Sequence, residues 1–187
     1  IRKWKGWVLV KKSNLFFYSF LTTLLGTAVI GWQNDLLAAF VLPQPTPEEA
    51  FQHLQSYDLP QHDSFILETK LPWPDFSDKV NTYFSGKKVE FTEPVIIEQF
   101  PDYTRQILDI TKNIPWGEVK TYQQVAQLSS RKRAYRAVGQ ALHRNPIPLI
   151  IPCHRVVGSD GKLHGYGGPG GIGLKARLLE LERRGRS

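Results

Sequence analysis

Cysteine is almost missing from this 187-residue chain, where Cys153 stands alone. One thiol excludes an intramolecular disulfide framework and any zinc site built on two or more cysteines, and it points to a reducing intracellular compartment, cytoplasmic or nuclear. Methionine is absent and the chain opens on Ile1, so a targeting signal ahead of that residue lies out of view. Internal repeats and low-complexity tracts are also lacking. Nor is there a long unbroken apolar stretch. The uncharged run Ser13 to Gln33 follows Arg2, Lys3, Lys5, Lys11 and Lys12 as a membrane anchor would, but Asn14, Tyr18, Ser19, Thr22, Thr23 and Gly26 interrupt it. Its β-branched and aromatic content instead predicts strands broken by a turn near Gly26, followed by a strand from Leu36 to Leu42.

What is present suits a protein able to bury a proper core: 41% of residues are hydrophobic and 12% aromatic. The net charge of +7 is unevenly spread. Residues 1–100 carry nine Lys and Arg against eleven Asp and Glu, whereas residues 101–187 carry fifteen against six. A one-sided positive field favours a polyanion such as DNA or RNA, although a solvated basic face would give the same count.

Pro43 to Pro47 ends the strand, and Pro47-Glu48-Glu49 opens a short helix with proline and acids in its first turn. A helix is expected from Phe76 to Phe84 and a strand over Lys87 to Phe91. Charge balance and periodicity change between Pro94 and Pro101, so the chain divides into residues 1–97, a small β-sheet domain with helices in which 1–25 are unassigned, and residues 98–187. The second part is mainly helical, and the whole is an α/β (α+β) fold.

After Pro101, Tyr103, Ile107, Leu108 and Ile110 mark one apolar helical face, stopped by Ile114-Pro115-Trp116-Gly117. Thr121 caps a helix from Tyr122 to Leu128 with Val125 and Leu128 inward. Ser129-Ser130 forms a turn, and Arg133 to His143 forms a third helix. Two short helices joined by a tight turn are a helix-turn-helix. The third helix sets Ala134, Ala137, Gly139 and Ala141 beside Arg131, Lys132, Arg133, Arg136 and Arg144. Small side chains allow close approach to a groove while the cations neutralise phosphates; the same small residues also suit helix packing.

Cys153 follows the apolar run Leu149-Ile150-Ile151, which reads as a buried strand, and precedes His154 and Arg155. An imidazole and a guanidinium are the neighbours that make a thiol reactive as its thiolate. A lone cysteine is equally at home as a small core residue.

From Ile114 to Glu182 the chain resembles the O6-alkylguanine-DNA alkyltransferases, or methylated-DNA–protein-cysteine methyltransferases. The resemblance is carried by Ile114-Pro115-Trp116-Gly117-Glu118-Val119 with Thr121-Tyr122, by Arg136-Ala137-Val138-Gly139, by Asn145-Pro146 and by Ile151 to Val157. Gly165-Tyr166-Gly167-Gly168 and Lys175 with Leu178-Leu179 and Glu182 complete it, and Gly31 to Pro47 adds a fainter echo. It implies direct-reversal DNA repair without cofactor or metal, the alkyl group passing irreversibly from O6-alkylguanine, and from O4-alkylthymine, to Cys153 after base flipping. The implied partner is double-stranded DNA entered from the minor groove by a monomer. Cys153 would be the acceptor, His154 would take its proton through a water, and Glu182 would orient the imidazole from its other nitrogen. Tyr122 would donate to the flipped base, and Asn145 would brace the site. Arg136 would fill the vacated stack, with Thr121, Tyr122, Gln123, Arg133, Ala137, Ala141 and Arg144 as further DNA contacts. Pro148, Val156, Tyr166, Gly167 and Gly168 would line the pocket, and Arg155 would bridge the two halves. The glycine-rich stretch Gly167 to Leu174, with Pro169 inserted, is longer than the family's common form and bears on alkyl range.

Two other functions fit parts of this pattern. A non-transferring protein that binds alkylguanine and recruits excision repair would carry another residue, commonly tryptophan, at the acceptor position. A helix-turn-helix transcription regulator would present long polar side chains where this chain has alanine and glycine.

Overall fold

The bulky residues from Leu15 to Gln44 fold into an antiparallel meander: β1 (Leu15–Thr23), β2 (Gly26–Gln33) and β3 (Leu36–Gln44). The computed structural model describes residues 15–163 and 170–185. Asn34 and Asp35 both adopt positive φ at the β2–β3 turn, as a two-residue hairpin loop with the twist of its strands requires. A short strand, β4 (Ser64–Leu67), joins parallel to β1, so the sheet order is β3-β2-β1-β4. Residues 15–25, unassigned from sequence, are therefore β1 and its turn. Among the described residues no helix is long and apolar enough to cross a membrane, and the run weighed as an anchor is two strands.

One helix on the sheet, α1 (Pro47–Gln55), begins as expected: the Thr46 side chain accepts from the Glu49 amide at 3.2 Å, with Pro47 in the first turn. The next, α2, spans Phe76–Phe84. The strand expected over Lys87 to Phe91 does not form. The nearby edge of the sheet is already taken, since Leu37 exchanges backbone hydrogen bonds with Pro94 and Ile96. Val89 and Phe91 instead pack as half-buried residues on the main core.

The second half holds α3 (Asp102–Lys112), α4 (Tyr122–Leu128), α5 (Tyr135–His143) and α6 (Gly171–Arg184). A two-stranded parallel ladder joins β5 (Lys120–Thr121) to β6 (Val156–Val157). The start of α4 is a capping box: Thr121 Oγ1 accepts from the Gln124 amide, and Gln124 Oε1 accepts from the Thr121 amide. Val125 is buried as expected, but Leu128 is 58% exposed. Its helix ends there, and Ser129 takes the inward place by donating to the Ala126 carbonyl. The third helix starts at Tyr135, two residues later than Arg133.

The two halves share one apolar cluster. Tyr83, Phe84 and the sheet residues Ile30, Leu37 and Phe40 pack with Trp116, Ile147, Leu149, Ile150 and Leu178, and Phe40 N donates to Pro146 O across the divide. A second cluster fills the space among α3, α4 and α5 and reaches Cys153.

Candidate active site

Cys153 opens a single 3-10 turn, Cys153–Arg155, where a strand end was expected. The run Leu149-Ile150-Ile151 is a turn because Leu149 takes φ 73° and the Ile151 amide folds back onto the Ile147 carbonyl at 2.9 Å. Asn145 holds that turn. Its Nδ2 donates to Ile151 O at 2.8 Å, its Oδ1 accepts from Ile147 N at 3.1 Å, and Ile151 O also accepts from Cys153 N at 2.8 Å. One buried amide thus ties the end of α5 to the backbone that delivers the thiol.

His154 is fully buried, and its Nε2 lies 2.7 Å from Glu182 Oε1. Glu182, a terminal-helix residue with no sequence proximity to the thiol, is also fully buried. Its carboxylate accepts from Tyr83 Oη at 2.7 Å, from Gly117 N at 3.0 Å, and from Arg155 through Nε and Nη2, each at 2.9 Å. Gly117 reaches this oxygen from φ 69°, a conformation that favours glycine. Burial works against the Glu182 charge, but the bonds from His154 and Arg155 outweigh it and hold the carboxyl well below the usual range. Burial likewise dominates at His154 and lowers its pKa, with Glu182 opposing. His154 is therefore a neutral imidazole whose Nε2–H is donated to Glu182. Its Nδ1 is buried without a hydrogen-bond partner among the described residues.

Arg155 does not bridge the two halves as expected. Besides Glu182, it donates through Nη1 to Ile114 O at 2.6 Å, so all these partners lie in the second half. The residue that crosses is Tyr83 of α2, 99 positions from Glu182. A tyrosine inside a predicted amphipathic helix carried no signal beyond core packing.

Tyr122, at the start of α4, is half-buried, and burial followed by the nearby Cys153 raises its phenol pKa. Lys175 of α6 is buried, with Nζ 2.6 Å from Val156 O and 5.6 Å from the centre of the Tyr122 ring. Val156 and Pro148 are both buried. Tyr166, Gly167 and Gly168 lie outside the described residues.

Arg136 stands exposed in the first turn of α5, beside an open groove of roughly 800 Å³ lined in part by Tyr103, Arg131, Ala137, Gly139 and Arg144. Ala137 is partly exposed, as a groove-facing residue must be. Ala141 departs from the DNA-contact expectation: only 3% exposed, it packs in the helical core and merely edges this groove. Arg133, Arg144 and Gln123 are exposed, whereas Thr121 spends its hydroxyl on the α4 cap. Among the described residues no group of three His, Cys, Asp or Glu is arranged to hold a metal ion.

Comparison with known proteins follows this geometry. Residues 102–184 match the family described as 6-O-methylguanine DNA methyltransferase, DNA binding domain. A methylated-DNA–protein-cysteine methyltransferase of Methanosarcina barkeri is 42% identical over 116 residues, which are 62% of this chain and 72% of that protein. One from Sulfurisphaera tokodaii is 48% identical over 108 residues, 58% of this chain and 66% of its own. Among solved structures, the O6-methylguanine methyltransferase of Mycobacterium tuberculosis superposes with TM-score 0.72 at 30% identity, covering 90% of this chain and 93% of that one. The same organism's OGT in complex with DNA gives TM-score 0.74 at 28% identity with the same coverage. The sheet, the capped helix pair and the cysteine–histidine–glutamate arrangement thus belong together for a reason: this chain is a member of the methylated-DNA–protein-cysteine methyltransferase family.

Proposed function

We propose that this protein repairs alkylated DNA by moving the alkyl group from O6 of guanine onto Cys153, once per molecule. The observation that carries the assignment is the line of groups Cys153, His154 and Glu182, set beside a helix that presents Arg136 at a basic groove. Glu182 accepts the Nε2–H and leaves Nδ1 with a lone pair, so His154 takes the thiol proton at Nδ1 through a water. The thiolate sulfur then attacks the alkyl carbon, the carbon–O6 bond breaks, and guanine leaves with the electron pair. Tyr122 supplies a hydrogen bond to the base as that charge develops. The thioether on Cys153 has no route back, so one molecule performs one repair.

O6 is shielded in a stacked duplex, so the nucleotide rotates out of the helix before transfer. Arg136 fills the gap it leaves. Ala137 and Gly139 allow close approach from the minor groove, where such wedges unstack bases and little sequence is read. All the groups named belong to one chain, consistent with action as a monomer.

The test is intact-protein mass spectrometry after mixing with duplex DNA holding one O6-methylguanine, followed by peptide mapping. One methyl group on Cys153 is expected. Tight binding with unchanged mass would instead assign the chain to recruitment of excision repair.

A further inference from the structure

Among the described residues that hydrogen-bond to Glu182, Tyr83 alone comes from the N-terminal half. Its ring is wedged edge-on against Phe84 and Trp116, with centroids 5.6 and 5.0 Å away, so the phenol has little freedom to turn. Its oxygen lies 2.7 Å from Glu182 Oε1 and 3.2 Å from His154 Nε2. An ionised carboxylate only accepts, so both the phenol O–H and the imidazole Nε2–H point at Oε1. With its own hydrogen committed there, the phenol oxygen turns a lone pair toward Nε2–H. Two acceptors therefore hold that hydrogen on Nε2.

We propose that Tyr83 is a positioning residue for alkyl transfer: it fixes the His154 tautomer that leaves Nδ1 free as the base, and by donating to Glu182 it restrains how strongly that carboxylate attracts a proton onto the imidazole. The inference rests on the transfer to Cys153 proposed above. It also gives the N-terminal half a part in the chemistry, because α2 delivers the phenol. The groups facing His154 are Glu182 and Lys175 from α6, Cys153 and Arg155 from its own turn, and Tyr83 from α2. Glu182 raises the imidazole pKa, while Arg155 and Lys175 lower it. Removing the phenol hydroxyl changes only the α2 contribution and leaves Glu182 with one donor fewer. The imidazole then becomes easier to protonate.

Tyr83→Phe keeps the ring and removes the hydroxyl. The methyl-transfer rate from O6-methylguanine duplex is expected to fall about tenfold at neutral pH, the scale of one hydrogen bond to a charged group. The acid limb of its pH profile is expected to move upward by about half a pH unit or more. Iodoacetamide alkylation of Cys153, followed without DNA, should show the same displacement. This second readout separates the two ideas: a wild-type protein that takes no methyl group defeats the transfer reading, whereas the iodoacetamide profile still reports on Tyr83. Placing 3-fluorotyrosine at position 83 retains the ring and strengthens the donor, so the limb should move to lower pH. That variant decides the matter if Tyr83→Phe fails to fold. A rate within twofold of wild type, with the limb unmoved in the folded variant, overturns the proposal.

Discussion

Asn145→Ala is the sharpest test of how the thiol is delivered, because the two bonds that Asn145 makes are unequal in what their loss leaves behind. The Ile147 amide has its acceptor in Asn145 Oδ1 at 3.1 Å and is stranded in a buried setting once that oxygen is gone. A buried donor left unsatisfied costs about 1–3 kcal/mol. Ile151 O loses Asn145 Nδ2 but keeps the Cys153 amide at 2.8 Å, so its loss is that of an ordinary bond, about 0.5–1.5 kcal/mol. Together these give roughly 2–4 kcal/mol. For a protein of this size each kcal/mol lowers the melting temperature by about 2–4 °C, so a fall of roughly 6–12 °C is expected by calorimetry. Asn145→Asp sharpens the reasoning, since it keeps the acceptor for Ile147 but sets a carboxylate against the Ile151 carbonyl. It should be at least as unstable as the alanine variant at neutral pH and should regain ground, relative to wild type, as acid protonates that carboxyl. An alanine variant melting within about 2 °C of wild type, or an aspartate variant as stable as wild type at neutral pH, would refute the account.

Gly185→Ala tests the docking of the two halves: a Cβ there would overlap the Gly86 carbonyl just beyond α2 and press on the Trp116 ring, at a cost of about 1–3 kcal/mol and with loss of the Tyr83–Glu182 bond. Chemical denaturation and iodoacetamide labelling of Cys153 check both effects, and a wild-type profile in each would count against the close approach. Stability should also decline in acid, read as urea midpoints from neutral pH downward. His154 has a lowered folded pKa, so the unfolded chain binds its proton first once pH drops below about 6.5. Glu182 is depressed as well, so its contribution is present above the unfolded value of about 4.3 and fades as pH falls toward the folded one. A His154→Ala variant with an unchanged decline between pH 7 and 5 would contradict the first step. Binding to undamaged duplex should weaken with salt at a log–log slope of about −4, one unit less after Arg136→Ala, because Arg131, Lys132, Arg133, Arg136 and Arg144 are all exposed. A flat salt response would remove the basic face from the argument.

Features set by neighbours in sequence were legible. The hairpin strands, the Thr46-Pro47 start of α1, the Thr121 cap of α4 and the span Phe76–Phe84 depend on contacts a few residues apart, and they fold as their composition suggests. The cysteine with its histidine could be read because the pair is contiguous. Features set by tertiary competition could not. Lys87 to Phe91 has strand composition, but Pro94 to Ile96 occupies the edge it would need. Leu149 to Ile151 has strand composition as well, yet the Asn145 amide and a positive φ at Leu149 bend it into a turn. Glu182 came into view only through family resemblance, since 28 residues separate it from His154. Arg155 was expected to reach across the halves and Tyr83 was not, because a guanidinium advertises an ion pair and a helical tyrosine advertises only bulk.

The pattern of bonds around Glu182 explains why the site needs so many segments. A lone carboxylate fully buried beside an imidazole would pull a proton onto that ring and forfeit the base. Arg155, itself largely buried, compensates the charge with three contacts to the carboxylate and is anchored in turn by Ile114 O. The Gly117 amide and the Tyr83 hydroxyl disperse what remains. The result is a carboxylate ionised enough to orient Nε2–H and compensated enough to leave His154 neutral. Loss of any one donor shifts that balance in the same direction, toward imidazolium. Charge-compensating substitutions at Arg155, Gly117 and Tyr83 should therefore share one signature, an acid limb moved to higher pH, even though the residues sit on three separate segments of the chain.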